Sequence, residues 1–119
     1  MNPTLSIIIV NYNGEKYLNN CFSSIHKVLE NQSFEVVMVD NQSNDNSVCF
    51  TKEHFPWVKI IEATTNLGFG KGNNLGVQHA NGEFVLLLNN DTILIDNPLE
   101  LIPEFQKNSS IGAIGIKML

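Results

Sequence analysis

The sequence predicts an α/β fold of three layers, α/β/α, on a mainly parallel sheet. Three observations predict it. Phe84-Val85-Leu86-Leu87-Leu88 is an apolar run without polar alternation, too short for a typical helix, which reads as a strand buried on both faces. Leu5-Ser6-Ile7-Ile8-Ile9-Val10 and Phe34-Glu35-Val36-Val37-Met38-Val39 are rich in β-branched residues and read the same way. Segments of helical period alternate with these runs, and that alternation implies a sheet covered by helices above and below. In open α/β sheets the ligand lies beyond the carboxyl ends of the strands. The residues that end each apolar run therefore matter most.

The first strand, Leu5 to Val10, breaks at the turn Asn11-Tyr12-Asn13-Gly14. A helix follows from about Glu15 to Leu29, because Tyr17, Leu18, Cys21, Phe22, Ile25, Val28 and Leu29 recur at steps that form one packed face. After the second strand, Phe34 to Val39, the stretch Asp40 to Ser47 is wholly polar. Ser43 or Asn44 suits the N-cap of a helix from about Asp45 to His54, with Asp45 near its positive end. Pro56 stops that helix. Trp57 to Ile61 alternates enough to be a strand near a sheet edge.

Asn66-Leu67-Gly68-Phe69-Gly70-Lys71-Gly72-Asn73-Asn74-Leu75-Gly76 is glycine-rich and leads into a helix from about Lys71 to Ala80, closed by Asn81-Gly82. Glycines let the backbone approach a ligand, and a helix start offers unpaired N–H groups to an anion. A flexible turn with tight helix–sheet packing explains the same glycines. No Lys-Ser/Thr pair makes this a P-loop, and a dinucleotide fingerprint belongs after the first strand, not the third.

The run Phe84 to Leu88 ends in Asn89-Asn90-Asp91. A carboxylate just outside a dry core suits a divalent cation or a sugar hydroxyl; a polar turn capped by Asp is the competing reading. Asp40 stands at its strand's carboxyl edge in the same way. Ile93-Leu94-Ile95 is a short apolar segment, Asn97 and Pro98 open a helix to about Gln106, and Ile111 to Ile116 reads as one more strand. An alternating fold seldom ends on a strand, so a downstream part is expected.

The whole chain sets further bounds. Its 119 residues make one small domain, with 43% apolar residues for a core. The net charge of −5 gives no sign of a nucleic-acid partner. Cys21 and Cys49 form no metal or redox motif and read as reduced thiols in a cytosolic protein. His26, His54 and His79 lack metal-ligand spacing. No signal peptide or transmembrane segment is apparent.

Four segments in fixed order carry a resemblance: Ser6 to Asn13, Val37 to Asp45, Asn66 to Gly76 and Leu86 to Thr92. Together they resemble the nucleotide-sugar-binding half of family 2 glycosyltransferases, in particular the rhamnosyltransferase-like branch, over nearly the whole chain. The resemblance implies a GT-A fold, which is Rossmann-like. It implies inverting transfer of a hexose or deoxyhexose from a nucleoside-diphosphate sugar of UDP or dTDP type to a glycan or lipid-linked acceptor hydroxyl. By position, Val10, Asn11 and Tyr12 would border the nucleotide, and Asp40 would bond the base or ribose. Gly68 and Asn74 would shape the pocket wall, with Lys71 as a phosphate contact. Asn89-Asn90-Asp91 falls on the Asp-x-Asp position: Asp91 matches the metal-binding carboxylate for Mg²⁺ or Mn²⁺, and Asn90 would lie near the ribose. Asn89 replaces an Asp of many members, which weakens metal affinity in the absence of nucleotide. The catalytic base of the family lies beyond residue 119, so residues 1–119 form the donor-binding portion and no catalytic residue is expected in this chain.

The resemblance also implies a cytoplasmic location, peripheral at the inner face of the membrane. A truncated chain would expose apolar surface and self-associate. Two other classes remain: a non-catalytic nucleotide-binding or interaction module, and a dinucleotide oxidoreductase, which fits the α/β pattern but not the glycine placement.

Overall fold

The computed structural model describes residues 2–107. The expected strand at 111–116 lies outside the described residues.

Four parallel strands form one sheet: β1 (Leu5–Asn11), β2 (Phe34–Asp40), β3 (Val58–Glu62) and β4 (Phe84–Leu87), in the order β3-β2-β1-β4. Helices α1 (Glu15–Leu29), α2 (Ser47–His54) and α3 (Gly68–Gln78) connect them. A short 3-10 turn, Pro98–Leu101, runs into α4 (Ile102–Lys107). The chain moves from β1 outward to β2 and β3, then crosses back to place β4 on the other side of β1. The order therefore reverses between β1 and β4, which is where ligands bind in sheets of this kind.

Side-chain alternation along the strands divides the core. Leu5, Ile7 and Ile9 of β1 and Val36 and Met38 of β2 pack with Leu18, Cys21, Phe22, Ile25 and Leu29 of α1. Ile8, Val10 and Val39 face the other way, toward α3. There Gly72 and Gly76 let the helix lie close: a Cβ on Gly76 would stand 2.4 Å from Ile8 Cγ2. β1 and β2 are thus covered on both faces, as their composition predicts, and β3 is at a sheet edge as expected.

β4 departs from expectation. It forms the other edge among the described strands, and among the described residues only one of its faces is covered. Phe84 and Leu86 join the α1-side core, whereas Val85 and Leu87 are 43% and 53% exposed. The reason is the path of α3, which packs on β1 and β2. Tyr17 is likewise exposed and outside the packed face of α1.

The helix starts also differ. α3 begins at Gly68, so the glycine-rich stretch is the helix's first turns, and Gly68 takes φ +77, a conformation that favours glycine. α2 begins at Ser47, and neither Ser43 nor Asn44 caps it. Asp45 Oδ1 accepts from the Ser47 N–H at 3.0 Å, and Asp45 Oδ2 accepts from the Glu15 N–H at 3.1 Å. One carboxylate thereby serves the starts of both α1 and α2. Asn97 does cap the 3-10 turn as read, accepting from the Leu99 N–H at 2.9 Å.

Candidate functional site

Because all four strands are parallel, the residues that end them share one rim. Asn11 ends β1, Asp40 ends β2, and Asn89-Asn90-Asp91 follows β4. A hydrogen-bond relay crosses that rim. Asn90 Nδ2 donates to Asn11 Oδ1 at 2.8 Å, and Asn11 Nδ2 donates to Asp40 Oδ1 at 3.0 Å. The Ser43 hydroxyl donates to the same Asp40 oxygen at 2.7 Å, and the Ser43 N–H donates to Asp40 Oδ2 at 2.9 Å. Ser43 Oγ in turn accepts from the Asn13 N–H at 2.9 Å, and Asn13 Oδ1 accepts from the Asn44 N–H at 2.6 Å. The turn after β1 and the loop after β2 are therefore tied into one unit.

The two rim carboxylates have opposite surroundings. Asp40 is 3% exposed and both its oxygens accept hydrogen bonds. Asp91 is exposed, and among the described residues nothing donates to its carboxylate. Asp40 thus shapes the loops, whereas Asp91 presents charge to solvent. Asn11 is fully buried. Its amide is spent on Asp40 and Asn90, so its side chain is a strut of the rim.

The other residues singled out in the sequence lie around this unit. Val10 is half-buried and faces Gly72. Tyr12 is 49% exposed at the rim. Asn41 links β2 to the start of α3: its Nδ2 donates to the Gly68 carbonyl at 3.1 Å, and its Oδ1 accepts from the Leu67 N–H at 3.3 Å. Gly68 is thereby fixed beside the rim. Lys71 and Asn74 are exposed on α3, and no hydrogen bond or ion pair joins them to the rim groups among the described residues. Asn89 is exposed, and Asn90 turns its amide inward to Asn11. Sequence reasoning took Ser43 as a helix cap and Asn13 and Gly14 as turn residues, and did not name them or Asn41 as site residues. Asn13 and Gln42 take φ of 51 and 59 on the rim loops, a left-handed conformation uncommon outside glycine.

Below the rim, α1 supports the loop that carries Asp91. Cys21 Sγ donates to the Asn89 carbonyl at 3.9 Å, and Ser24 Oγ accepts from the Leu94 N–H at 2.8 Å. Burial, reinforced by the negative charge of Asp91, pushes the Cys21 thiol up to about 12. It therefore keeps its proton and its donor role.

The residues fit a divalent metal in one specific sense. Among the described residues there is no group of three or more His, Cys, Asp or Glu that could hold an ion. Among those residues the Asp91 carboxylate is an exposed oxygen ligand at the rim without a hydrogen-bond donor. Such a site suits Mg²⁺ or Mn²⁺ that draw their remaining ligands from water and phosphate oxygens.

Similarity to known proteins agrees with this architecture. Over 115 residues the chain is 29% identical to the poly-beta-1,6-N-acetyl-D-glucosamine synthase of Staphylococcus epidermidis, covering 92% of this chain and 27% of that protein. Over 117 residues it is 31% identical to the poly(ribitol-phosphate) beta-N-acetylglucosaminyltransferase TarS of Staphylococcus aureus, covering 95% of this chain and 20% of TarS. The crystal structure of TarS 1-349 in complex with UDP superposes with a TM-score of 0.78 at 26% identity, over 97% of this chain and 38% of that one. The mannosyltransferase PcManGT of Pyrobaculum calidifontis, crystallised with GDP-Man and Mn²⁺, superposes with a TM-score of 0.64 at 25% identity, over 76% of this chain and 28% of that one. The chain therefore spans well under half the length of these relatives. No described helix is long and apolar enough to cross a membrane. The model of glycosyl transferase family 2 matches residues 6–118, and the chain belongs to that family.

Proposed function

We propose that this chain is the donor-binding part of an inverting glycosyltransferase. It holds a nucleoside-diphosphate sugar of UDP or dTDP type above the carboxyl ends of β1, β2 and β4. The observation that carries this reading is the contrast between the two rim acids. Asp40 is buried and holds the base-side loop in shape, while Asp91 stands exposed one relay away, without a hydrogen-bond partner among the described residues. That division suits a ligand with a flat heterocycle at one end and a diphosphate at the other.

Each part of the chain has a task in this scheme. Tyr12 and the main chain from Val10 border the nucleoside, and the loop held by Asp40 and Ser43 offers it backbone and side-chain polar groups. Gly68, with no Cβ, lets the ligand approach the start of α3. Lys71 offers a charge to the diphosphate. Asp91 is the residue that would hold Mg²⁺ or Mn²⁺. When bound, such an ion offsets the negative charge that grows on the leaving diphosphate. The complexes of TarS with UDP and of PcManGT with GDP-Man and Mn²⁺ support this reading by likeness.

A general base for the acceptor hydroxyl is a separate requirement. Glu104 is ion-paired with Lys107 at 3.9 Å in α4, and Asp96 and Glu100 are exposed. None of them is assigned the task, so sugar transfer by this chain alone is not expected. A thermal-shift panel with UDP, dTDP and GDP, each with and without Mn²⁺, tests the reading. UDP or dTDP should raise the melting temperature, more strongly with Mn²⁺ present. No response to any nucleotide would overturn it.

A further inference from the structure

The backbone at Gly14 has no need of a glycine: its φ of −103 and ψ of 21 are open to ordinary residues. What the position needs is empty space. A Cβ there would stand 2.1 Å from Asn90 Nδ2 and 2.5 Å from Asn11 Oδ1. The missing side chain is therefore the seat in which the Asn90 amide reaches Asn11.

The chemistry of that seat admits a donor only. Asn11 Nδ2 is committed to the Asp40 carboxylate, which can only accept, so Asn11 must turn its Oδ1 toward position 90. Asn11 is fully buried, and without Asn90 its oxygen would lack this donor. The bond also fixes the residue next to Asp91. The rest of the loop is held by main-chain and α1 contacts: Leu88 N–H to the Ile8 carbonyl at 2.9 Å, Thr92 N–H to the Asn89 carbonyl at 3.2 Å, and Leu94 N–H to Ser24 Oγ at 2.8 Å. Asn90 contributes the side-chain anchor within the turn itself.

We infer that Gly14 and Asn90 are positioning residues: the space at Gly14 seats the Asn90 amide on Asn11, and that seat sets where the Asp91 carboxylate stands. This inference rests on the donor-site reading above and adds that the turn after β1 governs the metal-binding loop after β4. A positioning role predicts a split between two affinities. Binding of UDP without metal depends on the nucleoside end of the site, whereas the extra affinity conferred by Mn²⁺ depends on the place of Asp91.

Calorimetric titration of the full chain with UDP, with and without MnCl₂, tests this. In wild type, Mn²⁺ should tighten UDP binding about fivefold or more, within the usual range of coupling between two ligands. In Gly14→Ala, metal-free UDP binding should persist while the gain from Mn²⁺ falls below about twofold on the same scale. Asn90→Ala should lose the Mn²⁺ gain as well. A folded Gly14→Ala that keeps the full Mn²⁺ gain, or that loses metal-free binding in equal measure, overturns the inference and leaves the donor-site reading standing. Absence of UDP binding in wild type overturns both.

A measurement on wild type decides the matter if the variants fail to fold. In ¹⁵N NMR the Asn90 side-chain amide should be protected from exchange both free and with UDP. Fast exchange of that amide in the free protein overturns the inference.

Discussion

Asp40→Asn keeps the size of the side chain and exchanges one acceptor for a donor, at a residue that is 3% exposed. The carboxylate accepts from Asn11 Nδ2 and the Ser43 hydroxyl on one oxygen and from the Ser43 N–H on the other. If the new NH₂ group takes the second oxygen's place, the Ser43 N–H faces a donor. If it takes the first, Asn11 Nδ2 and the Ser43 hydroxyl both face a donor, and Asn11 Nδ2 keeps only its 3.3 Å contact with Ser43 Oγ. Either arrangement turns at least one donor against another, at a cost of about 1–3 kcal/mol. Asp40→Ala removes every acceptor at once, for about 2–5 kcal/mol. At roughly 4 °C per kcal/mol for a chain of this size, Asp40→Asn should melt about 4–12 °C below wild type. Urea denaturation and thermal melting without ligand read this directly. An Asp40→Asn protein of wild-type stability that had lost UDP binding would refute the reasoning, because Asp40 would then be a ligand group and not a strut.

Two further predictions concern packing and pH. Gly76→Ala would bring its Cβ to 2.4 Å from Ile8 Cγ2 and 3.2 Å from Val39 Cγ2, both on fully buried residues. Overpacking of about 1–3 kcal/mol outweighs a helix-propensity gain of about 1 kcal/mol, so the variant should be less stable in urea, and a more stable one would contradict the packing described. At Glu35 and Asp45 burial raises the carboxyl pKa, but hydrogen bonds outweigh it. They come from the Ser6 hydroxyl and Asn81 N–H, with Lys59 nearby, in one case, and from the Ser47 hydroxyl and the Glu15 and Ser47 N–H groups in the other. Both carboxyls therefore sit below their ordinary values of 4.5 and 3.8, and the unfolded chain binds more protons in that window. The stability they contribute is complete above those values and is lost as pH falls through the lower folded ones. Thermal melts should show Glu35→Gln losing less stability than wild type as pH falls below 4.5, and identical profiles would contradict this.

The parts of the fold that depend on nearby residues were legible in the sequence. β1, α1 and β2 follow from apolar period and turn residues, and the parallel sheet follows from their alternation. The rim position of Asp40 and Asp91 followed from strand ends alone. Long-range packing was not legible. An apolar run such as Phe84 to Leu88 does not say whether a helix crosses both its faces, and α3 crosses β1 and β2 instead. The partners of Asp40 were hidden for the same reason, since Asn11 is 29 positions away in sequence. The bond from the Asn90 amide to Asn11 was hidden too, since the two are 79 positions apart in sequence, and so was the space at Gly14 that this amide fills. Asp45, read as favouring one helix start, serves two because the turn after β1 and the loop after β2 meet.

The most direct test of the account is a pair of UDP titrations, with and without Mn²⁺, on wild type and Asp91→Ala. Wild type should bind UDP more tightly with the ion, and Asp91→Ala should bind it equally well with or without. An undiminished Mn²⁺ effect in Asp91→Ala would contradict the assignment of that carboxylate, and with it the claim that this rim holds a metal-bound nucleoside diphosphate.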